Sequence, residues 1–144
     1  MEPIDREAIR ELTAIYAKAI DEKDYPAIGE CFTPDAVAQY NGFSLVLNGR
    51  EEIVAHMRKA LDPLSATQHM FANFIIEGDA TAAKLSCDII AQHVKGGATD
   101  RETYLAGGRY KVELQKPAGR WQFVKLDAQS VWGMGSRDLL PKSS

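Results

Sequence analysis

Three side chains that can hold or move a proton near neutral pH fall among apolar neighbours: Asp21, His69 and His93. In the run 82–94, Leu85, Cys87, Ile89, Ala91 and His93 alternate with Lys84, Ser86, Asp88 and Gln92, so His93 closes an apolar row. In the run 67–77, alternation gathers His69, Phe71, Asn73 and Ile75 on one face and Met70, Ala72, Phe74 and Ile76 on the other. If the two runs pair as a hairpin through Gly78-Asp79 in an even-sum register, His69 stands opposite Ile89 to Ala91 with His93 as a diagonal neighbour. A slip of one residue sets Asp88 or Gln92 beside it instead. Two imidazoles facing one apolar cavity can pass a proton near neutral pH. The plainer alternative is two partly buried histidines bonded to backbone groups.

Asp21 follows the apolar stripe of an N-terminal helix. A carboxylate is disfavoured there by the negative end of the helix dipole. It needs either a cationic partner, such as a protonated histidine, or simple exposure beside Glu22, Lys23 and Asp24. Tyr16 and Tyr40 can each bring a hydroxyl into a pocket or serve as aromatic packing. Asn73 needs a hydrogen-bond partner if buried, and Trp132 can supply an aromatic wall for a ligand. Gly107-Gly108 interrupts a strand and marks a bulge or a close approach. A nucleophile elbow, a phosphate loop and paired zinc-ligand spacing are all missing from the sequence; His69 and His93 could in principle bind a metal with Asp21, but nothing in the spacing is metal-specific.

The elements that must position these groups follow from periodicity. Ile4, Ala8, Ile9, Leu12, Ile15, Tyr16, Ala19 and Ile20 recur at helical spacing, with Asp5 as a candidate cap. Pro26 opens a short second helix, capped near Asp24 or Tyr25. Thr33-Pro34-Asp35 reads as a turn. Residues 37–40 and 43–47 read as a hairpin closed by Asn41-Gly42. A third helix covers 51–61, and four β-rich runs follow at 67–77, 82–94, 103–115 and 120–133. Their short, turn-rich separators favour antiparallel neighbours. This order predicts an α+β fold, with helices packed on one face of a bent sheet. Both faces of the 67–77 run are apolar, which predicts helices on one side and a second subunit on the other, hence a homodimer through the sheet.

The chain has 144 residues, and 17 basic against 20 acidic side chains give a formal charge of −3. Such a length suits one domain with one core, taken here as residues 1–135 with a polar tail at 136–144. The slight acidity offers no footprint for a phosphate backbone, so nucleic acid is not expected as a partner. Nor is a membrane, since no apolar run approaches the roughly 20 residues of a span. Two cysteines without a framework and an acidic N-terminus suit the cytoplasm.

The segments IRELTAIYAKAIDEKDYPAIGECFTPDAVAQY, TQHMFANF and GGRYKVELQKPAGRWQFVKLD resemble the SnoaL-like branch of the nuclear transport factor 2 superfamily, over residues 5 to 133. The resemblance implies a cone-shaped α+β barrel: a strongly curved, mostly antiparallel sheet and about three N-terminal helices around an apolar pocket. Within the branch, the chemistry is similar to that of scytalone dehydratase and hexachlorocyclohexane dehydrochlorinase. Asp21, in AIDEKD, matches their aspartate after the first helix, and His69, in TQH, matches their histidine. His93 and Tyr40 resemble the dehydratase's second histidine and pocket tyrosine, whereas Ile20 replaces a tyrosine. The implied catalytic set is Asp21, His69, His93 and Tyr40, with Tyr16, Asn73 and Trp132 as substrate-binding candidates. The implied activity is a cofactor-independent lyase or isomerase acting on a small, largely apolar compound. A polyketide-cyclase-type aldol closure and a non-catalytic binding or assembly module are the alternatives.

Overall fold

The computed structural model describes residues 1–141. Helices come first: α1 (Pro3–Asp21) and α2 (Tyr25–Glu30), then the hairpin β1 (Phe32–Tyr40) and β2 (Leu45–Asn48), then α3 (Arg50–Leu61). Four long strands complete the chain: β3 (Ala66–Gly78), β4 (Ala82–Lys95), β5 (Glu102–Gln115) and β6 (Gln122–Gly135). They form one six-stranded sheet in the order β2-β1-β6-β5-β4-β3. All neighbouring strands run antiparallel except β1 and β6, which pair in parallel. The helices cover one face, and α1 lies against β3. The expected α+β fold is the one observed, with the sheet left open.

Several local expectations are corrected. Asp5 does not cap α1. It is buried, accepting from Trp121 Nε1 at 2.9 Å and Lys116 Nζ at 3.0 Å, and thereby ties the start of α1 to the sheet. The Asn41-Gly42 turn is wider than two residues: Tyr40 pairs with Leu45 and the turn spans residues 41–44. Positive φ at Asn41, Gly42 and Phe43 lets it close in the left-handed region. Thr33-Pro34-Asp35 lies within β1, where the register with β6 shifts between Phe32 and Val37. Proline, having no N–H to give, is tolerated at that irregularity.

One irregularity reverses a face. The β3–β4 register changes between Ala72 and Ile75, with Asn73 at φ 58°. The extra residue of this bulge shifts the alternation, so the inner face runs His69, Phe71, Phe74, Ile76, while Asn73 and Ile75 turn outward and are exposed. Uniform alternation through residues 67–77 misses this because it assumes no inserted residue.

The core is aromatic at its centre. Tyr16, Phe32 and Phe123, each 1% exposed or less, meet edge to face with centroids 5.3 to 5.6 Å apart. They join α1 to β1 and β6. Replacing Phe123 with Ala is expected to cost about 3–5 kcal/mol, the range for a buried aromatic deletion, read as a lower urea midpoint with an unchanged m-value.

Candidate active site

Asp21 is the last residue of α1, facing β3. Its Oδ1 lies 2.8 Å from His69 Nδ1 and accepts from Thr67 Oγ1 at 3.0 Å, and both carboxylate oxygens lie 3.1 Å from the His69 backbone N–H. These donors are the reason a carboxylate can stand at a helix C-terminus. Burial pushes the Asp21 carboxyl up, but the His69 ring, the His69 N–H and the Thr67 hydroxyl outweigh it, holding the pKa below its ordinary value. The group is therefore ionised at neutral pH. A carboxylate can only accept from Nδ1, so neutral His69 carries its proton there and keeps the Nε2 lone pair for the cavity.

The even-sum register is the one formed. His69 pairs with Ala91 and Thr67 with His93, so the two imidazoles are diagonal neighbours, with centroids 5.7 Å apart and planes at 80°. His93 is buried, and its Nδ1 lies 2.9 Å from the Tyr104 carbonyl. That contact requires the proton on Nδ1. Burial is the main influence on His93 and lowers its pKa. The Tyr104 carbonyl opposes this, while His69 and Arg137 reinforce it. His93 is thus neutral, presenting Nε2 as an acceptor.

Both histidines line a cavity of about 130 Å3 between α3 and the inner sheet face. For scale, an apolar cavity of about 150 Å3 accepts benzene, so this one suits about one ring. Its apolar wall includes Ile20, Met57, Leu61, Leu64, Ile89 and Ala91, and its polar groups include Tyr40, Tyr110 and His56. Among the described residues no Lys or Arg lines it. Gly107 and Gly108 border it at the β5–β6 bulge. Leu140 and Pro141 close one side after the short turn Arg137–Leu139, whose Leu139 is buried. Residues 142–144 of the expected tail lie outside the described residues.

His69, His93 and Tyr40 line the cavity and Asp21 adjoins it through its bond to His69, whereas the three substrate-binding candidates do not line it. Tyr16 is packed in the core behind it. Asn73, turned out by the bulge, bonds Asp88 Oδ2 at 2.7 Å on the exposed side. Trp132 lies on the outer face across Gly107, where any β-carbon would collide with its ring. Among the described residues no three His, Cys, Asp or Glu side chains form a group that could hold a metal ion.

Two cavity residues went unread in the sequence. His56 continues the α3 stripe Ile53, Met57, Ala60, Leu61 at spacings of three and four. It packs against Tyr40 with ring centroids 5.8 Å apart. Tyr110 continues the inward alternation of Val112 and Leu114 on β5. Periodicity alone carried both signals. All three histidines of the chain line the one cavity.

Comparison with known proteins agrees with this architecture. The SnoaL-like domain family matches residues 2–127. A terrestric acid biosynthesis cluster protein from Penicillium crustosum is 30% identical over 137 residues, covering 91% of this chain and 86% of its own. A structure from Novosphingobium aromaticivorans, provisionally named a scytalone dehydratase, superposes with a TM-score of 0.85 at 17% identity, over 93% of this chain and 89% of the other. A hexachlorocyclohexane dehydrochlorinase superposes with a TM-score of 0.80 at 19% identity, over 92% and 89%. Among the described residues no helix is long and apolar enough to cross a membrane.

The cavity histidines have a consequence for stability. Burial lowers both His56 and His93 below the ordinary value of 6.5. The folded protein then binds fewer protons than the unfolded chain between the folded and unfolded values. Stability is full above about pH 6.5 and falls as pH drops through that window. The thermal midpoint is expected to fall between about pH 7.5 and about pH 5, and to fall less in the double variant His56→Gln/His93→Gln. An equal fall in both proteins would contradict the assignment.

Proposed function

Because the chain belongs to the SnoaL-like domain family, we propose that it is a cofactor-independent lyase or isomerase using general acid–base chemistry on a small, largely apolar hydroxylated or ketonic compound. The observation that carries this reading is the 2.8 Å contact between Asp21 and His69 beside a one-ring cavity. A solvent-facing Asp21 would instead have favoured a binding module.

Neutral His69 takes a proton from a substrate carbon through Nε2. Asp21, ionised and fixed by four hydrogen-bond contacts, orients the ring and stabilises the imidazolium that forms. His93 accepts from a substrate hydroxyl through its bare Nε2, and Tyr40, whose phenol burial pushes up to about 12, donates to a carbonyl oxygen. Apolar walls strengthen each of these interactions by excluding water. The imidazolium then returns its proton to carbon in an isomerisation, or to a departing hydroxyl in a dehydration. Aldol cyclisation through the same enolate is a second reading. A relative named for a terrestric acid biosynthesis cluster supports small-molecule chemistry under either reading, and product analysis separates the two.

We further propose a homodimer through the outer sheet face, where exposed Met70, Ile90, Val131 and Trp132 border one depression. Sedimentation is expected to give a dimer that Trp132→Glu weakens, whereas a monomeric wild type would reject it.

The catalytic test is deuterium uptake from heavy water, or loss of water, with a panel of hydroxylated and ketonic ring compounds. His69→Ala is expected to lower the rate by about 10²- to 10⁴-fold, the usual worth of a positioned base. Asp21→Asn, which favours the wrong tautomer, approaches about 10⁴-fold. Uptake unchanged in His69→Ala would reject His69 as the base.

A further inference from the structure

The proposed proton transfers use two of the three histidines that line the cavity and leave His56 out. It belongs to the inward stripe of α3, whose buried members Ile53, Met57 and Leu61 are all apolar. An imidazole set among them gives up part of its hydration, a cost that leucine or methionine would not carry. Burial, with Lys59 nearby, lowers its pKa below the ordinary 6.5, so the ring is neutral at pH 7. A neutral imidazole keeps one nitrogen that donates and one that accepts.

Its place in the fold sets it apart from the other two. In the sheet order β2-β1-β6-β5-β4-β3, two strands separate β1 from β4. Residues of both β1 and β3 line the same cavity, so the sheet wraps around it. α1 packs on β3, whereas α3 packs on β1 and β2. The Asp21–His69 pair and His93 therefore stand at one end, on α1, β3 and β4. His56 stands at the other, against the Tyr40 ring of β1, with centroids 5.8 Å apart and planes at 41°. Between the two ends, β4, β5 and β6 contribute the small residues Ala91, Ala106, Gly107, Gly108 and Ala128, which leave room for a ring.

We propose that His56 accepts a hydrogen bond from a second substrate hydroxyl, on the ring edge opposite the carbon that His69 deprotonates, so that the substrate is an uncharged ring oxygenated at both edges. This rests on the reading of His69 as base and narrows its substrate class. His93 takes one hydroxyl at its own end. A ring that fills the cavity carries its far substituent to α3, where His56 takes the other. A ring with a methyl group or a halogen on that edge would desolvate the imidazole and return no hydrogen bond, and an unmade bond to a buried acceptor costs more than a made one contributes.

The test is binding at about pH 7.5, above the ordinary histidine range. The two probes are hydroquinone, kept anaerobic, and 4-methylphenol, which has the same shape with a methyl group in place of one hydroxyl. The wild type is expected to bind hydroquinone about five- to tenfold more tightly, the worth of one neutral hydrogen bond. Transfer out of water alone would favour the methyl group. His56→Phe should abolish the preference, and His56→Gln, whose amide oxygen accepts, should keep part of it. A purely structural role for His56 would instead weaken both ligands together. In the wild type, the His56 ring-nitrogen NMR signals should move with hydroquinone in the direction of a nitrogen accepting a hydrogen bond, and not with toluene; this reading needs no variant to fold. Equal binding of the two phenols by the wild type, a preference that survives His56→Phe, or ring signals indifferent to hydroquinone would overturn the assignment. Heavy-water exchange reads His69 separately. A hydroquinone preference without exchange keeps the role of His56 and rejects the base, and exchange without the preference does the reverse.

Discussion

The Asp21 carboxylate, set where a helix least tolerates one, is the constraint on which the site depends. Its position at the end of α1 is unfavourable by the helix dipole alone. It is held there by the Thr67 hydroxyl, the His69 backbone N–H and the His69 ring, all from the start of β3. The same contacts dock α1 onto the sheet, fix the His69 tautomer and aim its free nitrogen at the cavity. One set of hydrogen bonds therefore serves both helix docking and the placement of the proposed base, and loosening the helix would also displace the His69 ring.

Around that anchor the site is built from neutral donors and acceptors. His93 is kept uncharged by burial, with its proton committed to the Tyr104 carbonyl. Tyr40 and Tyr110 are kept protonated by the same cause. Among the described residues no lysine or arginine lines the cavity. Hydrogen bonds made within it act in low dielectric, where each is stronger than in water.

The β3 bulge shows how one inserted residue divides two surfaces. By reversing the alternation after Ala72, it turns Asn73 and Ile75 outward and brings Phe74 and Ile76 to the core. A strand regular to its end would bury Asn73 beneath the helices without an evident partner. The outer face gains an exposed Asn73–Asp88 bond, and the inner face stays apolar behind the histidines. A comparable shift between Gly107 and Gly108 lets Trp132 lie flat over Gly107 on the outer face.

The amino-acid pattern by itself determined the three helices, the four long strands, the antiparallel meander and the α+β class, because periods of 3.6 and 2 are local properties of the chain. It also singled out Asp21, His69 and His93 as polar residues in apolar rows. Tertiary structure alone decided which register paired His69 with Ala91, where bulges reversed a face, and that Trp132 and Asn73 face away from the cavity while His56 and Tyr110 border it. Asp21 exemplifies the division. Its neighbours Glu22, Lys23 and Asp24 read as a solvated connection, and only the packing of α1 on β3 supplies the donors that give the carboxylate a role. Those donors lie more than forty residues away along the chain, so local periodicity carries no trace of the contact; it exists only once the strand is laid beneath the helix.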